Sequence, residues 1–238
     1  PKDESIVIPS RHLGLSIDET FCFDTFADRV AEVIDKTVNV DRLLELCTVE
    51  FSGEQTEDVV CFGNRKIAIA RDEAFNFMYR ENVEALKRAG EVVFFSPLRD
   101  KSLPEADMVY FPGGYPELHL AELAANEGMR QSVRKYCENG GRVLAECGGM
   151  MYLCDTITDG DGKVYPMAGV LKQGATMEQM KLKLGYREVR VNGQRIRGHE
   201  FHYSRILPTN EKIPVIGTIY NAKDMVVDTP VYTYKNVL

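Results

Sequence analysis

Between Lys66 and Glu146 the chain repeats one alternation: a short apolar run, an amphipathic stretch, then another short run. The apolar runs are Lys66–Ala70 (KIAIA), Glu91–Phe95 (EVVFF), Asp107–Phe111 (DMVYF) and Arg142–Glu146 (RVLAE). Ala74–Ala89 and Glu117–Asn139 place apolar residues at helical spacing and end at Gly90 and at Gly140-Gly141. Strands joined by helices cannot pair as hairpins; each connection must cross over the sheet. The pattern therefore predicts an α/β fold, a mainly parallel sheet with helices on both faces, flavodoxin-like. After Pro166 the pattern becomes β-rich, at Tyr186–Val191, His199–Tyr203, Val215–Tyr220 and Pro230–Tyr234. The beginning reads differently. A strand at Ser5–Ile8 is followed by a helix opened by Asp18-Glu19, with Phe23, Phe26, Val30 and Ile34 at helical spacing, and by a second short helix at Val40–Cys47. Residues 49–64 have no strong period and read as a linker.

The 238 residues, 44% of them apolar, suffice for one sizeable core with an appendage. A formal net charge of −7 argues against a basic face for nucleic acid. No apolar run approaches the length that spans a membrane, and no secretory leader pattern is present. The six cysteines form no CxxC pair, so a reduced, cytoplasmic setting is expected. The first residue is proline, which points to a processed chain or a piece of a longer one.

In open α/β sheets ligands bind outside the carboxyl ends of the strands. Two glycine pairs fall there, Gly113-Gly114 and Gly148-Gly149, and Cys147 stands immediately before the second. A cysteine in a strand-to-helix elbow lies beside unpaired helix N–H groups, which favour its thiolate. The N–H of Gly148 and a donor from the Gly113-Gly114 turn would form an oxyanion hole. Plain burial of a free cysteine explains the same position equally well from the residues alone. Cys22, Cys137 and Cys154 fall in helical stretches and read as fillers. Of the histidines, His12 lies in a loop and His119 starts a helix near the glycine turn. In a strand over Gly198–Ser204 (GHEFHYS), period 2 pairs Glu200 with His202 and puts His199 on the other face. Spacing puts His202 first as partner of Cys147.

Three sets of motifs carry a family resemblance: ARDEAFNF (Ala70–Phe77), FPGGYPEL (Phe111–Leu118) with AECGGMMYL (Ala145–Leu153), and LGY (Leu184–Tyr186) with GHEFHYS. Together they resemble the glutaminase half of the cobyrinic acid a,c-diamide synthase family, in the cobyrinate branch of the triad glutamine amidotransferases. PSRHLGL (Pro9–Leu15) and the helix after it resemble the tail of that family's ATP-binding domain. The resemblance thus implies three parts: residues 1–48 as the tail of an otherwise absent synthetase domain, 49–64 as linker, and 65–238 as an amidotransferase domain running past Leu238. It implies that Cys147 attacks the side-chain amide of glutamine and forms a glutamyl thioester. The released ammonia would serve ATP-dependent amidation of the a and c acetates of cobyrinic acid in cobalamin biosynthesis.

Carried over to this chain, Gly148, Gly113 and Gly114 supply the oxyanion donors, and Tyr115 and Glu200 line the substrate site. Met151 stands where other triad enzymes have glutamine, so other groups must hold the substrate. The family's catalytic histidine follows a strand like Val231–Leu238, which puts it beyond Leu238 and makes His202 a lining residue. This chain alone is then expected to be a weak glutaminase or none. No GxxxxGK[ST] stretch is present, so ATP and magnesium are assigned to the preceding domain, and no cofactor or metal to this part. The expected partners are glutamine and, through the ATP domain, an acidic tetrapyrrole. The apolar face of residues 1–48 is expected against the main domain or a second copy. Three alternatives stand: the same chemistry on nickel sirohydrochlorin, a non-catalytic domain of the same fold, or a thiol hydrolase.

Overall fold

The computed structural model describes residues 6–7, 10–11, 14–15, 22–49, 53, 63 and 65–238. It divides into two compact units, Pro1–Asp58 and Val59–Leu238. In the first, β1 (Ser10–Arg11) pairs antiparallel with β2 (Gly14–Leu15). Two helices follow, α1 (Phe23–Thr37) and α2 (Val40–Cys47), where the apolar spacing puts them. Cys22 precedes α1 as its N-cap rather than lying within it. The side chain of Asn39 caps α2 by accepting from the N–H of Arg42 at 2.9 Å. Neither helix buries a residue. The strand expected at Ser5–Ile8 lies mostly outside the described residues, and Ile6 within it is in a 3-10 turn. His12 and most of the 49–64 linker also lie outside them.

The second unit is built on a parallel sheet in the order β4-β3-β5-β6, with β3 Lys66–Ala70, β4 Glu91–Phe95, β5 Met108–Phe111 and β6 Arg142–Ala145. Alternation along the strands splits the core. Ile67, Ile69 and Tyr110 face α3 (Arg80–Ala89) through Leu86 and Ala89. Ala68, Ala70, Val109, Phe111 and Val143 face the other way, onto α4 (Leu120–Ala125), α5 (Glu127–Glu138) and α6 (Gly148–Leu153). Helices thus cover both faces, as the alternation predicts. Each fully buried apolar side chain contributes roughly 1.5–3 kcal/mol. The C-terminal residues extend the sheet. Val237 bridges Val143 in parallel. Asn236 O accepts from Val143 N, and Leu238 O from Ala145 N.

Two expected helices are corrected. The stretch Ala74–Ala89 is helical only from Arg80. The buried carboxylate of Asp72 takes the N–H groups of Ala74 and Phe75, the hydroxyl of Ser96 and the N–H of Leu98, which holds 72–77 as a turn. Phe77 then bridges Gly113 instead of turning inward on a helix. The stretch Glu117–Asn139 is a 3-10 turn (Pro116–Leu118), α4 and α5. It breaks at Asn126, whose Oδ1 caps α5 while Nδ2 donates to the carbonyls of Pro97 and Asp100, both at 2.8 Å.

Two further sheets complete the unit. One has the order β12-β9-β7-β8, from β7 Cys154–Thr158, β8 Val164–Pro166, β9 Leu171–Thr176 and β12 Arg205–Ile206. Cys154 therefore opens a strand rather than filling a helix. The other is antiparallel, β11-β10-β13, from β10 Lys183–Val191, β11 Gln194–His202 and β13 Thr218–Asn221. The segment expected as a strand at Pro230–Tyr234 makes only isolated bridges, Tyr232 to Val215 and Tyr234 to Val237.

Candidate active site

β5 and β6 are adjacent and parallel, so their carboxyl ends bring Gly113-Gly114 and Cys147 together. After Ala145 the chain turns sharply. Glu146 donates its N–H to Phe111 O at 3.0 Å, and Cys147 takes φ 50° and ψ −111° before α6 begins at Gly148. A non-glycine residue at positive φ costs of order 1–3 kcal/mol and persists where its surroundings enforce it. The surroundings here are tight. A Cβ on Gly148 would lie 2.7 Å from Pro116 Cδ, and one on Gly114 would lie 2.2 Å from Ala74 O. The amides of Gly148 and Gly114 both hydrogen-bond toward the Cys147 sulfur. Both residues are among the oxyanion donors expected from the sequence.

Burial pushes the Cys147 thiol up to about 11, the carboxylates of Glu117 and Glu146 add to that, and the two amides only partly offset it. The resting group at neutral pH is thus a thiol. The thiolate expected from the helix N-terminus is corrected: desolvation outweighs the donors.

Cys147 opens into a cavity of about 640 Å³ bounded by Glu146, Met150, Val189, Ile196, His199, Glu200, His202 and Leu238, among others. One face of the β10–β11 hairpin forms a wall. Glu200, 8% exposed, anchors it. Its Oε1 meets His202 Nε2 at 2.9 Å and its Oε2 accepts from Arg187 Nε at 2.8 Å, with the Thr229 hydroxyl 3.2 Å from both oxygens. Burial alone would raise the Glu200 carboxyl, but the bonds from His202 and Arg187 hold it below the usual carboxylate range. Period 2 thus pairs Glu200 with His202 as expected. The other ring nitrogen of His202 lies 2.9 Å from Ser204 O. Both nitrogens face acceptors, so neither is placed to take a proton from Cys147. Among the described residues no histidine is hydrogen-bonded to the Cys147 sulfur.

His199 also borders the cavity, from the other face of β11 as period 2 expects. Its Nδ1 is 3.4 Å from the Tyr79 hydroxyl, and its ring stands edge-on to Phe77, the residue that bridges Gly113. His119 caps α4 and does not line the cavity. Tyr115 is 3% exposed and holds the turn by donating its N–H to Ala74 O at 3.0 Å; it too is not on the cavity wall. Arg187, Thr229 and the Tyr79–His199 contact were not legible as site features. The one available signal was Arg187 itself, a lone arginine sharing a strand face with Val189 and Val191. Among the described residues no cluster suited to a metal ion occurs, and no helix is long and apolar enough to cross a membrane.

Residues 66–237 match the model of the CobB/CobQ-like glutamine amidotransferase domain. Cobyrinate a,c-diamide synthase of Salmonella typhimurium is 37% identical over 222 residues, covering 87% of this chain and 48% of that protein. Hydrogenobyrinate a,c-diamide synthase of Pseudomonas aeruginosa is 38% identical over 208 residues, covering 87% and 47%. Cobyrinate a,c-diamide synthase of Caldanaerobacter subterraneus subsp. tengcongensis is 39% identical over 218 residues, covering 87% and 48%. The chain spans about half the length of the curated relatives it matches. Among solved structures, PurLQS from Thermotoga maritima aligns with 17% identity and a TM-score of 0.47, covering 73% of this chain and 84% of that one. The elbow at Cys147, its paired amide donors and the match over 66–237 agree: the chain belongs to the CobB/CobQ-like glutamine amidotransferase family.

Proposed function

We propose that this chain hydrolyses glutamine at Cys147 and supplies ammonia to ATP-dependent amidation of the a and c acetates of cobyrinic acid. The observation that carries the reading is the aim of the Gly114 and Gly148 amides at the Cys147 sulfur. The Cys147 thiolate attacks the amide carbon of glutamine, and the two amides hold the oxyanion. The tetrahedral intermediate expels ammonia once its nitrogen is protonated, leaving a γ-glutamyl thioester. Water attacks the thioester carbonyl, glutamate leaves and the thiol is restored. The relatives' names supply the acceptor, cobyrinate or hydrogenobyrinate. ATP and magnesium belong, in this reading, to the half of those proteins that the match does not cover, and the setting is cytoplasmic.

A base is needed, because the thiol rests protonated at neutral pH. His202 has both nitrogens committed. Val237 bridges β6 in parallel, and Val237 and Leu238 line the Cys147 cavity. That placement supports the base expected from the family resemblance, on a residue following a strand like Val231–Leu238, and we propose it there. Glutamate release is to be compared for this chain and for a version extended past Leu238, each with Cys147→Ala beside it. The extended form should turn over at least about a hundredfold faster, as a positioned base provides. Equal activity in both would return the role to His202 or His199. Activity that survives Cys147→Ala would end the reading.

A further inference from the structure

Glu146 follows β6 directly and lines the same cavity as Cys147, on its exposed side. Strand alternation puts it on the face of Leu144 and Tyr110. Its Oε2 accepts from the Tyr110 hydroxyl at 2.5 Å. Tyr110 is 2% exposed and wedged beside Ile67 and Ile69. Burial and the adjoining carboxylate push its phenol above the ordinary range, so it stays a donor at any physiological pH. One oxygen of Glu146 is therefore fixed from below, which leaves Oε1 for the cavity. Among the described residues Glu146 makes no ion pair with a lysine, arginine or histidine.

A carboxylate beside a cysteine nucleophile is a poor arrangement for the free protein, because it opposes the thiolate. It becomes a good one when the ligand brings its own cation. In the same cavity Arg187 and His202 gather donors around the single carboxylate of Glu200. The Glu200 carboxylate of this cavity is thus matched by donors within the chain, whereas among the described residues that of Glu146 has only the Tyr110 hydroxyl.

We propose that Oε1 of Glu146 receives the α-ammonium of glutamine while Cys147 addresses the side-chain amide. Glu146 is then the residue that distinguishes an amino acid from a plain carboxamide. This rests on the glutaminase reading. It carries a second consequence: once the ammonium neutralises Glu146, the thiolate is opposed less, so bound substrate makes its own nucleophile more available.

The test uses the whole chain and two ligands, glutamine and glutaramate, the latter being glutamine without its α-amino group. Alkylation of Cys147 by iodoacetamide is followed on its own peptide, and protection by each ligand gives a Kd. Glutamine should bind about tenfold tighter than glutaramate, the factor that about 1.4 kcal/mol gives. Glu146→Gln should bring the ratio to about one, with the glutamine Kd weakened, and speed alkylation of the unliganded protein. Glu146→Asp, which keeps the charge, should retain part of the ratio and guard against a folding artefact. A ratio that survives Glu146→Gln overturns the assignment, as does equal protection by both ligands in the native sequence. No protection by either overturns the glutaminase reading and the assignment with it.

Discussion

Replacing Gly114 by alanine tests the oxyanion arrangement at its tightest point. The new Cβ would stand 2.2 Å from Ala74 O and 2.9 Å from both Ala74 C and Phe75 Cα. Ordinary contact at such a carbon begins near 3.4 Å, so the turn and the 72–77 loop must part by about 1 Å. That loop cannot yield freely. Ala74 O already accepts from Tyr115 N at 3.0 Å, Phe77 N donates to Gly113 O at 3.0 Å, and Asp72 pins the loop from within. The strain therefore falls on the Gly114 peptide and turns its N–H away from the sulfur. Losing one oxyanion donor costs about 10²–10³ in kcat, and a displacement of about 1 Å costs a factor of similar size. The assay is glutamine hydrolysis by the full-length protein, with thermal unfolding alongside. Overpacking should cost about 1–3 kcal/mol of stability. Gly160→Ala, where a Cβ meets nothing within 4 Å, is the control and should change neither quantity. A Gly114→Ala protein that unfolds at the parent's temperature and keeps kcat within about threefold would refute the reasoning.

Two other outcomes are expected. Because the Cys147 thiol is held up to about 11, its alkylation by iodoacetamide in the unliganded chain should rise about tenfold per pH unit from pH 7 to 10; a plateau below pH 9 would remove the burial argument. Asn126→Ala removes a helix cap and the hydrogen bonds to the carbonyls of Pro97 and Asp100, and should cost about 2–3 kcal/mol in chemical denaturation; a loss under about 0.5 kcal/mol would mean that the break between α4 and α5 does not depend on that side chain.

The parts of the fold written in period were legible. KIAIA, EVVFF, DMVYF and RVLA became strands because alternation and apolar content agree there. The elbow was legible because glycine pairs after strand ends have few other uses. What stayed hidden depends on partners distant in the chain. Ala74–Phe77 looks helical until Asp72 is seen gathering four donors, two of them from 96–98. Asn126 breaks a helix because Pro97 and Asp100 lie beneath it. The commitment of His202 follows from Glu200 and from a carbonyl two residues along. Period 2 signals that pairing but not its consequence for catalysis. Cys154 was misread because α6 ends one residue before it, and nothing local marks so short a helix.

The register of β5 on β6 has a consequence for how the protein comes to life. Met108 pairs with Arg142 and Phe111 with Ala145, and α4 and α5 must form and cross between them. No local turn can bring Gly114 to Cys147; only a long-range parallel pairing does, and such pairings are slow to form. An emerging or partly unfolded chain therefore carries a cysteine with no oxyanion pocket. On the reading proposed above, glutamine hydrolysis would begin only once β5 and β6 have paired.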